Sequence, residues 1–171
     1  MRLFVAIDLP EALKEKLHEV QKKLHDIGIV RWVKREQFHI TLKFIGNADV
    51  NKVLAALSKL KFKPFRIKVK GMGFFPNSNY IRVIWIGAHS KEMEELASRI
   101  NDLLKDVVPP EEFVGHITIG RVKKIDKSKL KGKKIDIEYE FICKEVVLYQ
   151  SILTKNGPVY RVVRKYEADN L

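Results

Sequence analysis

The segment FHITLKFIG at residues 38–46 returns in altered form as GHITIGRV at 115–122, and it does not return alone. An apolar segment opens the chain at 2–8, and another, NYIRVIWIGA, occupies 79–88. Each is followed by an amphipathic stretch. Leu13, Leu17, Val20, Leu24 and Ile27 trace one face of a helix predicted over 10–27. Met93, Ala97, Ile100, Leu104 and Val107 repeat that face, at one constant offset, in a helix predicted over 90–107. A chain that writes strand, helix and His-Ile-Thr strand twice is predicted to fold as two similar halves related by an approximate two-fold axis. Two copies are too few for a solenoid, which needs three or more to bury its core.

The remaining segments fill out the two halves. A helix is predicted near 49–60 and a strand near 64–75, with further strands at 136–141, 145–153 and 158–166. Asn156-Gly157, between the last two strands, is a tight-hairpin signal. The lysine-rich run 123–134 is predicted to be a solvated, mobile loop. No low-complexity linker separates the halves. The expected fold is therefore α+β and bilobal, with pseudo-two-fold symmetry. Two mostly antiparallel sheets face a central groove, helices lie outside, and residues 1–171 form one domain. That length suffices for a core without disulfides or metals.

In a strand, side chains alternate between faces. Phe38, Ile40, Leu42 and Phe44 are thus expected on one face of the first copy, with His39, Thr41 and Lys43 on the other. In the second copy Ile117 and Ile119 oppose His116 and Thr118. If each apolar face packs on its own half, the two polar faces can meet in one groove. Two imidazoles and two hydroxyls then surround a shared centre. Imidazole ionises near pH 6.5, so one ring can serve as base while its partner serves as acid. Placed on opposite sides of a phosphorus atom, the pair can activate an attacking oxygen and protonate a leaving one. Each is typically worth about 10²–10⁴-fold in rate. The threonine hydroxyls can donate to non-bridging phosphate oxygens, and the set needs no metal.

Composition narrows the setting. Thirty-three Lys+Arg against 21 Asp+Glu leave a net charge of +12, which fits a polyanionic partner, nucleic acid first. Lysines that merely solvate the surface would give the same balance. The single cysteine, Cys143, excludes an internal disulfide and the usual structural zinc site, and is expected as a small core residue. No apolar run approaches the roughly 20 residues needed to cross a bilayer, and Asp8 interrupts the opening apolar patch. A cytoplasmic protein is expected.

HITL at 39–42 and HITI at 116–119 resemble the paired H-x-T-x motifs of the two-histidine (2H) phosphoesterases. RLFVAIDLP, the WV…FHITLKFIG block, HITIGRV and LYQSIL…GPVY resemble the RNA 2′,3′-cyclic phosphodiesterases, first described as 2′-5′ RNA ligases, over nearly the whole chain. The resemblance implies a bilobal fold with the groove between lobes, and hydrolysis of a terminal 2′,3′-cyclic phosphate to a 2′-phosphate. It implies His39 as general acid to the 3′-oxygen and His116 as the base that activates water, with Thr41 and Thr118 holding the phosphate. The partner would be RNA 3′ ends, tRNA fragments among them, with no cofactor and a monomeric protein. Ligation would be the minor, reverse activity. One departure is Gly115, where proline is usual; it is expected to loosen the start of the strand. Arg121 follows the second motif, where the family often has a basic residue. Strict alternation would aim it away from His116 unless Gly120 supplies a bulge. Lys43 is a further candidate for RNA phosphates.

Two rival readings stay open on the residues themselves. The histidines could ligate a metal instead. Or the groove could bind RNA without chemistry, with Phe74, Phe75 and Tyr149 stacking bases at roughly 1–3 kcal/mol each. Binding alone, however, does not require histidine and threonine to be duplicated together. His18 and His25 lie beside the first helix's apolar stripe and read as surface residues, and His89 reads as a neighbour of a helix cap. Gly71-Met72-Gly73 lacks the third glycine of a dinucleotide loop, and no phosphate loop of the GK(S/T) type occurs.

Overall fold

The computed structural model describes residues 1–169. Along the chain run β1 (Arg2–Asp8), α1 (Glu11–Lys23), β2 (Gly28–Trp32), β3 (His39–Asn47), α2 (Val50–Leu57), β4 (Phe65–Asn77) and β5 (Tyr80–His89). Then follow α3 (Lys91–Leu103), β6 (His116–Ile125), α4 (Lys127–Lys131), β7 (Glu138–Cys143), β8 (Glu145–Thr154) and β9 (Gly157–Glu167). The strands form two antiparallel sheets, ordered β3-β1-β8-β9 and β2-β6-β5-β4-β7.

Laid side by side, the two orders match. The His-Ile-Thr strands β3 and β6 correspond, as do β1 and β5, and each of the latter is flanked on its far side by two more strands. The halves have nonetheless traded segments. The β8–β9 hairpin, joined through Asn156-Gly157, completes the first sheet, while β2 and β4 belong to the second. Strand β2 has no counterpart among the sequence expectations.

The helical stripes bury as their spacing requires. Leu13, Leu17, Leu24 and Ile27 in the first half and Met93, Ala97, Ile100 and Leu104 in the second are fully buried. Both helices end earlier than the stripe does: α1 stops at Lys23, and Leu24 and Ile27 reach the core from the turn that follows. These residues join Ile7, Ile40, Ile84, Ile86, Ile117 and Ile119 in one contiguous core that spans both sheets. The lysine-rich run is not the loop expected. Strand β6 continues to Ile125, and Asp126 then caps the short helix α4 by accepting from the Ser128 and Lys129 amides. No helix among the described residues is long and apolar enough to cross a membrane.

Candidate active site

The pairing register explains how the functional side chains come to point one way. Along β1 and β3, Ala6 pairs with Thr41 and Val5 with Lys43, so Leu42 is an extra residue bulged out of the ladder. Along β5 and β6, Trp85 pairs with Thr118 and Ile84 with Gly120, so Ile119 is the extra residue. Both bulges sit on the residue that follows His-Ile-Thr, and both reverse the alternation beyond it. Arg121 therefore emerges on the same face as His116 and Thr118, and Gly120 turns inward. In β3 the same reversal corrects two expectations. Lys43 does not share the face of His39 and Thr41 but is buried, 1% exposed, with Nζ donating to the Pro109 carbonyl at 2.7 Å. Phe44, expected in the core, is 58% exposed and lines the groove.

Gly120 is required by proximity. A Cβ there would lie 2.8 Å from Val30 Cγ1 and 2.9 Å from the Trp32 ring, the two β2 side chains packed over it. Gly115 does not loosen the strand as expected. A Cβ at that position would meet the Ala88 carbonyl oxygen at 2.2 Å, and the Ala88 N–H donates to the Gly115 carbonyl at 3.0 Å. Its lack of a side chain lets the start of β6 lie directly against β5.

The two histidines are held alike. His39 Nδ1 lies 2.7 Å from the Gln37 carbonyl oxygen, and His116 Nδ1 lies 2.6 Å from that of Val114, in each case two residues back. A carbonyl can only accept, so each Nδ1 carries the proton and each neutral ring keeps Nε2 as its basic nitrogen. His39 Nε2 stands 3.0 Å from Thr41 Oγ1. Aromatic rings frame both imidazoles. Phe4 and Tyr160 flank His39 at centroid distances of 5.3 and 5.5 Å, and Phe75 meets His116 edge-on at 4.9 Å.

His39, Thr41, His116 and Thr118 line a single groove of about 770 Å³, to which Arg2, Arg31, Lys34 and Arg121 add positive charge. Burial holds both imidazoles below the ordinary value, opposed in each by the carbonyl on Nδ1, while Arg121 pushes both further down. Only His39 also feels a carboxylate, that of Asp8, its partner across the ladder, which draws its pKa upward. Asp8 is itself paired with the buried Lys14 at 3.0 Å.

Of the other residues considered, Phe75 borders the groove, Phe74 packs against the core, and Tyr149 stacks on Phe4 at 5.2 Å. His18, His25 and His89 lie outside the groove, bonded to Gln21, the Lys22 carbonyl and the Lys70 carbonyl. Cys143 is buried, and burial pushes its thiol up to about 11. Tyr160, Phe4 and Phe44 are groove residues that sequence reasoning missed. An aromatic side chain in an apolar strand carries no sign of the cavity it borders. Phe44 had a usable signal, since it occupies the place in the first motif that Arg121 occupies in the second.

The family model for LigT-like phosphoesterases matches this chain twice, over residues 7–85 and 86–160. An RNA 2′,3′-cyclic phosphodiesterase of Methanocaldococcus jannaschii is 45% identical, the alignment covering 97% of this chain and 100% of that protein. A second so named, from Archaeoglobus fulgidus, is 36% identical over 98% and 100%. Among solved structures, one from Thermus thermophilus superposes with a TM-score of 0.85 at 28% identity, covering 98% of this chain and 97% of that one.

Proposed function

The chain belongs to the LigT-like phosphoesterase family, and from that premise we propose that it hydrolyses RNA 2′,3′-cyclic phosphate ends to 2′-phosphate ends by acid–base catalysis between His39 and His116, without a metal. The observation that carries the reading is the pair of H-x-T units on one cationic groove, each imidazole turned by a carbonyl on Nδ1 so that Nε2 is left as the basic nitrogen, that of His39 within hydrogen-bond reach of Thr41 Oγ1.

In the proposed reaction, water attacks phosphorus and gives a proton to His116 Nε2. The phosphorus–O3′ bond breaks, and His39 Nε2–H protonates the departing 3′-oxygen. The products are a 2′-phosphate monoester and a free 3′-hydroxyl. Asp8 favours His39 as the acid: a carbonyl on Nδ1 opposes burial in both rings, and only His39 has a carboxylate that draws its pKa upward as well. Thr41, Thr118 and Arg121 are assigned to the non-bridging oxygens, whose negative charge grows in the transition state. A 5′-hydroxyl in place of water would form a 2′-5′ linkage by the same steps, and bulk water favours hydrolysis. Since the two histidines come from different halves, residues 1–171 are read as one functional unit.

The test is a short RNA ending in a 2′,3′-cyclic phosphate, incubated with and without EDTA. Conversion to a 2′-phosphate end at equal rates is the expected outcome. A 3′-phosphate product would reverse the assignment of leaving group, and loss of turnover on chelation would make the histidines metal ligands.

A further inference from the structure

Lys43 has no place in the groove, yet it is one of three polar or charged side chains buried among the described residues, with Lys14 and Gln21. An amine withdrawn from water needs a compensating partner, and the partner of Lys43 is specific. Its Nζ donates at 2.7 Å to the carbonyl of Pro109, in the linker that joins α3 to β6. That linker is fastened along its length. The Phe44 N–H donates to Glu111 Oε1 at 3.0 Å, so β3 holds it at a second point. Asn101 on α3 clamps Glu111, donating from Nδ2 to its carbonyl at 2.9 Å and accepting its N–H at 3.4 Å. Ala88 then takes Gly115. Between Glu111 and Gly115 lies Val114, whose carbonyl receives His116 Nδ1.

The other linker, between β2 and β3, is fastened in the reciprocal sense. The Val33 N–H donates to the carbonyl of Ile119, the bulged residue of β6, at 3.0 Å. Gln21 Nε2 donates to the carbonyls of Val33 and Ile119 at 2.8 and 2.9 Å. Four residues beyond Val33, the Gln37 carbonyl receives His39 Nδ1. Each linker that turns a histidine is thus tied to the strand carrying the other histidine. The counterpart of Lys43 after the second bulge is Gly120, over which Val30 and Trp32 pack, so a buried amine at this point belongs to the first half alone.

We propose that Lys43 is a positioning residue for His116: from the strand that carries His39, it holds the linker whose Val114 carbonyl orients the His116 ring. The two imidazoles are thereby registered against each other across the groove. This rests on the reading of the histidines as an acid–base pair, but its decisive measurement does not depend on turnover.

The experiment is ¹⁵N NMR of the histidine rings in the full chain carrying Lys43→Met, which keeps length and apolar bulk but cannot donate. The His116 ring should lose its fixed Nδ1–H tautomer, and its titration should move to lower pH because the Val114 bond opposes the effect of burial. The His39 ring should keep its Nδ1–H tautomer, held by the Gln37 carbonyl. On cyclic-phosphate RNA, kcat should fall about 10–100-fold with KM little changed, the cost of a displaced proton-transfer group. Glu111→Ala, at an exposed position, removes the second of the two β3 tethers on the same linker and should move His116 the same way, to a smaller extent, even if Lys43→Met folds poorly. Ile67→Ala truncates the core in β4, in neither linker nor either motif strand; it should lower stability and leave both rings unmoved. An unchanged His116 spectrum in both linker variants overturns the proposal, as does a shift of His39 instead, or an equal shift of His116 in Ile67→Ala. If the wild type fails to turn over, the function falls while the ring spectra still decide the role of Lys43.

Discussion

At the scale of single residues, the two imidazoles differ chiefly in their charged surroundings. Replacing either with alanine should lower kcat/KM by about 10²–10⁴-fold, and replacing both should cost less than the product of the two if they act as a unit. A substrate with an activated leaving group, which needs no proton, should rescue His39→Ala and not His116→Ala. Because burial depresses both rings, both limbs of kcat/KM against pH should lie below about 6.5, and those of kcat should sit higher once a bound phosphate stabilises the imidazolium. The same depression has a sign in stability. As pH falls below about 6.5 the unfolded chain takes up protons before the folded one, so stability declines toward acid, and above that value the pair contributes nothing. Thermal unfolding of a His39→Asn, His116→Asn double variant should show a shallower acid decline. The histidines and threonines were legible in the sequence because they occur twice in matched surroundings. Tyr160 and Phe4 were not, since nothing about an aromatic in a strand says which side of it is empty.

At the scale of elements, the bulges decide what the motif strands display. Strict alternation read Lys43 as accessible and Phe44 as core, and one extra residue in the ladder inverted both. The case of Arg121 was easier, because Gly120 marked a place where the backbone could depart from the pleat. Its role is open to a direct test. Gly120→Val would drive a side chain into Val30 and Trp32, and this overpacking should cost about 1–3 kcal/mol in denaturant unfolding. Activity should fall with it, as β2 carries groove residues Arg31 and Trp32. Strand β2 itself escaped notice for a related reason. At five residues, opened by a glycine and broken by a register shift between Ile29 and Val30, GIVRW is too short for its alternation to stand out.

At the scale of the whole molecule, the charge has an address. Arg2, Arg31, Lys34 and Arg121 border the groove that holds both motifs. For an oligonucleotide, kcat/KM should fall with salt, with a logarithmic slope of roughly 0.7 per phosphate neutralised, whereas a cyclic mononucleotide should show a much flatter dependence. Equal slopes would mean that the flanking cations do not meet the chain beyond its terminal phosphate. The two-half architecture was legible from spacing alone, but the trading of strands was not. Period and propensity describe a strand's faces, while the choice of neighbour is made by packing between segments far apart in sequence. That trade has a consequence for anyone who would take the molecule apart. A fragment ending at residue 79 would keep the β1–β3 pair but strand β2 without β6, β4 without β5 and β7, and β1 without β8. Its open edges would invite pairing with other copies. Expressed alone, such a half should aggregate or stay unfolded by light scattering and circular dichroism, and mixing it with its complement should restore a soluble heterodimer: the repeat can be seen in the chain but not isolated from it.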